Sequence, residues 1–172
     1  KKYVANFTAA ALLDIAYQKA RLFKFIPSST YNVYKDNLFD KQVAKIINPH
    51  EAEIFVFWAH YGLNSIKKIR RINPTAKIII ESGSCHILEQ QKLLQTEFSR
   101  AKLTTPPIHK KNVAKILAEY EAADYIMTPS QFVRKSFLRQ NTKPEKVLQT
   151  TYGTNSNYFA NHLACAAATP RT

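Results

Sequence analysis

Glycine is scarce in this chain: its 172 residues include three, Gly62, Gly83 and Gly153. They form no G-x-G-x-x-G run and no phosphate-binding loop, which leaves a conventional dinucleotide site unsupported. Cysteine is scarcer still. Cys85 and Cys165 fit neither a disulfide framework nor a zinc spacing, so a reducing, cytoplasmic setting is the expectation. The histidines at 50, 60, 86, 109 and 162 include no i, i+4 pair and no neighbouring acidic triad, so metal ligation is not expected. No apolar run approaches the roughly 18 residues that span a bilayer. Positions 9–26 come closest, but Asp14, Gln18, Lys19, Arg21 and Lys24 interrupt them. The start, Lys1-Lys2-Tyr3-Val4, has no apolar leader and no initiator Met, which suggests a fragment.

Acidic residues are also few. Twelve Asp and Glu face twenty-five Lys and Arg, a net charge of +13. Such a potential favours anionic partners: a phospholipid surface, a phosphorylated substrate or nucleic acid. Clusters occur at 67–71 and 109–111, and neither carries the aromatic interleaving of a nucleic-acid stacking platform. Specific nucleic-acid recognition is therefore not expected, and a solvated helix face explains the clusters equally well.

What is present is a globular composition, 45% apolar and 22% charged, in a length suited to one domain. Apolar residues at helical period, Ala9, Leu12, Leu13, Ala16, Ala20 and Phe23, predict a helix over 8–25, stopped by Pro27-Ser28-Ser29. A weaker helix over 36–47 turns Leu38, Phe39, Val43, Ile46 and Ile47 inward. The run 52–58 reads as a strand rich in aromatic and β-branched residues, and 76–81 as a second. Helices over 63–71, 86–100, 110–122 and 131–140 alternate with further strands over 124–128 and 146–152. Strands alternating with helices imply an α/β fold, a Rossmann-like open parallel sheet with helices on both faces. In such sheets ligands collect at the carboxyl ends of the strands.

Several side chains fall at those ends. His86 follows the turn 81–85 and opens a helix, where a histidine can bind a substrate hydroxyl or stabilise developing charge. Gly83 and Ser84 offer backbone N–H groups at a helix start; Ser84 equally reads as an N-cap. Cys85 beside His86 is not a dyad, since helical neighbours point apart. His60 ends the first strand and lines the same crevice or packs as an aromatic corner. Ser130 sits after the third strand without the G-x-S-x-G elbow of a nucleophile, and an N-cap suits it better. Glu119, Glu121 and Asp124 read as a solvated edge or as partners for nearby Lys and Arg.

The segments ESGSCHI (81–87), EYEAADYIMTPSQFVRKSF (119–137) and KVLQTTYGTNSNYF (146–159) together resemble the N-terminal half of a family 4 glycosyltransferase, whose turn reads like ERGSTHI. The likeness is good over about residues 50–159 and loose over 8–47. It implies one half of a GT-B architecture and retaining transfer of a sugar from a nucleotide-sugar donor to an acceptor hydroxyl. No metal or other cofactor is implied. It assigns the acceptor side of the cleft to this half, with His86 reaching toward the donor sugar and Gly83 and Ser84 shaping the cleft. Tyr152 and Gly153 then end the strand before the interdomain linker; His60 and Ser130 join them as candidate substrate contacts. The acceptor is a sugar, a lipid-linked sugar or another hydroxyl compound, and the positive charge suits peripheral contact with an anionic membrane. Ser82 stands where the family commonly has arginine. Residues 1–159 read as the domain and 160–172 as a linker or tail. The donor-binding domain is expected to lie outside these residues, and a folded chain inactive alone is expected. A basic binding module for nucleic acid or another polyanion, or a nucleotide-binding regulatory domain, are the other readings.

Overall fold

A computed structural model describes residues 8–104 and 107–153; Cys165, the segment 154–159 and the tail 160–172 lie outside them. Ten elements follow in order: α1 Thr8–Lys19, α2 Ser28–Ile46, β1 Ile54–Trp58, α3 Leu63–Ile72, β2 Lys77–Glu81, α4 Ile87–Arg100, α5 Lys110–Ala122, β3 Tyr125–Thr128, α6 Gln131–Arg139 and β4 Val147–Gln149. The four strands form one parallel sheet in the order β1-β2-β3-β4. The α/β class and the Rossmann-like open parallel sheet are as the sequence led one to expect.

The order decides where the helices go. Each strand adds on the same side of the last, and parallel crossovers are right-handed. The three crossovers therefore put their helices on one face. Ile78 and Ile80 of β2, Ile126 of β3 and Val147 of β4 are buried there against Ile66 and Ile69 of α3, Val113 and Ile116 of α5, and Val133 and Phe137 of α6. Register partners share a face, so Ile54, Val56 and Trp58 stand with Ile79 and Met127 on the other. None of these five belongs to the core or packs against it, and Ile54, Val56 and Trp58 are more than half exposed. Of the two helical layers expected, the described residues supply one.

The N-terminal helices differ from the sequence reading. α1 ends at Lys19; Arg21 takes a left-handed φ of 53° and a 3-10 turn follows at Leu22–Lys24. Leu12, Leu13 and Phe23 are exposed rather than inward. The anchor is Tyr17, buried, stacked on Tyr31 at 3.8 Å and donating to the Ile26 carbonyl. Pro27 begins α2 instead of stopping a helix: extended at ψ 140°, its carbonyl accepts from the Thr30 and Tyr31 amides. Proline suits a helix start because no N–H is needed there. α2 buries Tyr31, Val33, Asp36 and Asp40, while Ile46 is exposed. Its expected apolar stripe of Phe39, Val43 and Ile47 instead walls a groove of about 640 Å³ beside β1, with Phe55, Phe57 and Trp58 opposite. β4 is also shorter than expected, ending at Gln149.

Candidate functional site

The turn at the carboxyl end of β1 is held by buried carboxylates. Helix α3 starts at Gly62-Leu63 with no side-chain cap of its own, so its orphan N–H groups need outside acceptors. Glu119 of α5 supplies one. Its carboxylate accepts from the amides of His60 (2.7 Å), Gly62 (3.0 Å) and Leu63 (3.1 Å). Asp40 of α2 accepts from Asn64 (2.8 Å) and Ser65 (3.2 Å), and lies 3.3 Å from the buried Lys115 ammonium. Burial pushes Glu119 up in pKa; the Gly62 and His60 amides and Lys115 oppose this. Glu119 is fully buried, which corrects its reading as a solvated edge. The sequence signal was its position, three residues after Ile116 on the apolar stripe and four after Lys115. Asp124 keeps its expected role as a cation's partner, bound by Arg70 at 2.7 Å.

This clamp fixes the β1–α3 turn, in which His60 has a left-handed φ of 88°. Such a backbone is costly for a residue with a Cβ, and the Glu119 bond to its N–H holds it. His60 is half-buried, and burial, reinforced by Lys115, pulls its pKa down. It is therefore a neutral imidazole offering one donor and one acceptor.

The turn after β2 lies alongside. Ser82 is buried; its N–H donates to the Met127 carbonyl and its hydroxyl to the Ser84 carbonyl at 3.0 Å. Gly83 and Ser84 are exposed, and with Trp58, His60, Gln90 and Tyr120 they line a crevice of about 180 Å³. A side chain at Gly83 would meet the Tyr152 hydroxyl at 3.2 Å and Trp58 at 3.4 Å. Tyr152 thus closes over Gly83, while a Cβ at Gly153 would meet nothing within 4 Å among the described residues.

His86 points elsewhere. It is 5% exposed, does not line the crevice, and packs on Phe137 and Tyr120 with ring centroids 5.0 and 5.2 Å away. Its Nδ1 accepts from the Leu88 amide at 3.3 Å, making His86, not Ser84, the cap of α4. Its own N–H donates to Ser136 Oγ at 2.8 Å. Burial lowers its pKa against the pull of Glu89, leaving a neutral ring. Cys85 is buried and its thiol pushed up by burial, which disfavours the thiolate. Ser130 caps α6, accepting from the Val133 amide at 3.3 Å. Of the sequence candidates, the fold thus gathers His60, Gly83, Ser84 and Tyr152; it sets His86 in the core and Ser130 at a helix cap.

These features define an open parallel α/β domain of Rossmann-like class whose candidate site residues cluster at the carboxyl ends of β1 and β2. No family model matches the sequence, and comparison with curated proteins and with solved structures gives no match either. Among the described residues no three His, Cys, Asp or Glu side chains form a metal-binding group, and no helix is long and apolar enough to cross a membrane.

Proposed function

We propose that this chain forms the acceptor side of a retaining, nucleotide-sugar-dependent glycosyltransferase, binding a hydroxyl-bearing acceptor at the carboxyl end of its sheet. The observation that carries the reading is the convergence of a neutral His60, the Gly83-Ser84 turn and the rings of Trp58 and Tyr120 on one crevice, with the Tyr152 hydroxyl beside Gly83. Neutral donors and acceptors beside aromatic faces, with the Glu81 carboxyl on the same lining, suit a polyol better than an anion. The resemblance of 81–87, 119–137 and 146–159 to family 4 enzymes supplies the reaction class. Within this reading His86 braces the turn that Gly83 and Ser84 belong to: its chain neighbours Cys85 and Ile87 and its ring partner Tyr120 line the crevice, while its own ring does not.

Ligand-observed saturation-transfer NMR on the chain tests this. Neutral methyl glycosides are expected to receive saturation, and labelled nucleotide-sugars to show no turnover above background. If the glycosides receive none while heparin binds with a steep salt dependence, the chain is a basic polyanion module and the proposal fails.

A further inference from the structure

His60 also lines a second cavity, of about 320 Å³, walled by residues of α2, α4 and α5. Asn112 of α5 is its key residue. It is 7% exposed, lines the cavity, and makes no side-chain hydrogen bond among the described residues. Its polar atoms are not enclosed in protein, where only Asp36 Oδ1 and Gln42 Oε1 lack a partner among the described residues, so the carboxamide opens onto the cavity and is free to bond what enters it. Asn32 of α2 and Gln90 of α4 line the same cavity, equally without side-chain bonds among the described residues, and Gln90 and His60 also line the crevice described above. Tyr61 supplies an aromatic wall. Unspent hydrogen-bonding capacity on three elements thus converges on one space beside one ring.

The chemistry of these groups narrows the ligand. Three carboxamides and a neutral imidazole offer donors and acceptors in equal measure, as a sugar's hydroxyls require. Lys35 and the buried Asp36, of opposite charge, line the same cavity, so its formal charges favour neither an anion nor a cation. A volume near 300 Å³ sits at the small end of ligand cavities, the scale of one sugar ring. We propose that this cavity is a monosaccharide-sized subsite for a neutral sugar, held by Asn32, Gln90 and Asn112 and shared through His60 with the crevice. The inference rests on the acceptor-side reading for its ligand class, and adds where the sugar ring lies and which side chains hold it.

Protein-observed NMR on the labelled chain decides it, with methyl glucoside and N-acetylglucosamine as probes and inorganic phosphate as comparison. Saturable shifts of the Asn32, Gln90 and Asn112 side-chain amide signals are expected with one of the two sugars, with Kd in the millimolar range, roughly −4 kcal/mol. Asn112→Leu, which fills the space and removes the bonds, is expected to weaken binding at least about tenfold, or 1.4 kcal/mol, with amide dispersion unchanged. Asn112→Gln, which keeps the carboxamide, is expected to retain measurable binding. Shifts confined to Ser84 and the Trp58 indole would overturn the subsite while keeping acceptor binding. Phosphate shifting these signals in place of both sugars, or no saturable sugar shift in the folded chain, would overturn subsite and acceptor reading together.

Discussion

The two faces of this sheet are built from the same residue types and meet opposite fates. On one, Ile78, Ile80 and Ile126 are fully buried under α3, α5 and α6; on the other, Ile54, Val56 and Trp58 stand more than half exposed. Propensity does not separate them, since Ile and Val favour strands on either side. What separates them is strand order. A sheet that grows in one direction through right-handed crossovers stacks its helices on one side, so identical isoleucines one strand apart contribute very differently to stability.

The largest test of that contrast compares Ile80→Ala with Ile54→Ala. Ile80 lies at 0% exposure and its truncation is expected to cost about 2–5 kcal/mol. Ile54, 57% exposed, is expected to cost about 0.5 kcal/mol, as surface changes do. Denaturant midpoints measure both, and equal losses would mean that the open face is covered after all. Next in size is Glu119→Ala on the covered side. It strands the amides of His60, Gly62 and Leu63, with an expected cost of about 1–3 kcal/mol. Glycoside binding should weaken with it, because the left-handed turn at His60 loses its brace. A loss of stability with unchanged binding would show that the clamp serves the core alone.

The smallest effect is in pH. His86 is neutral in the fold and its pKa lies below the usual 6.5, so the unfolded chain takes up its proton first as pH falls. Stability is therefore lost as pH drops through 6.5 toward the folded value, by at most about 1.4 kcal/mol per unit. His60 acts with the same sign. Glu119, raised above 4.5 by burial, acts oppositely: its protonation in the fold offsets part of the loss as pH nears 4.5 from above. Replacing the cap by His86→Asn is expected to flatten the slope below pH 6.5 without abolishing it. An unchanged slope in urea titrations would place the titrating group elsewhere.

The alternation of strands and helices from residue 52 to 149 was legible because each strand is a short apolar run between turn residues. The open face was not legible, since a parallel strand reads as continuously apolar whether or not both its sides are covered. Pro27 was read as a stop because proline ends and begins helices alike, and only the direction of its carbonyl bonds separates the two. At the site, Gly83, Ser84 and His60 were found from their places at strand ends. The burial of His86 was hidden, because its neighbours Tyr120 and Phe137 come from α5 and α6. Glu119 was misjudged for the converse reason. A carboxylate on an apolar stripe becomes intelligible only once the capless start of α3 is seen to need it. Asn112 gave no sequence signal, being an ordinary polar residue in the first turn of a helix.

The account stands most directly on where a sugar ring sits. A crystal structure of the chain soaked in the tightest-binding methyl glycoside is predicted to show the ring at the carboxyl end of the sheet, beside Tyr61 and bonded to Asn112 and His60. A ring seated instead in the groove between α2 and β1, or on the open face over Val56, would contradict it.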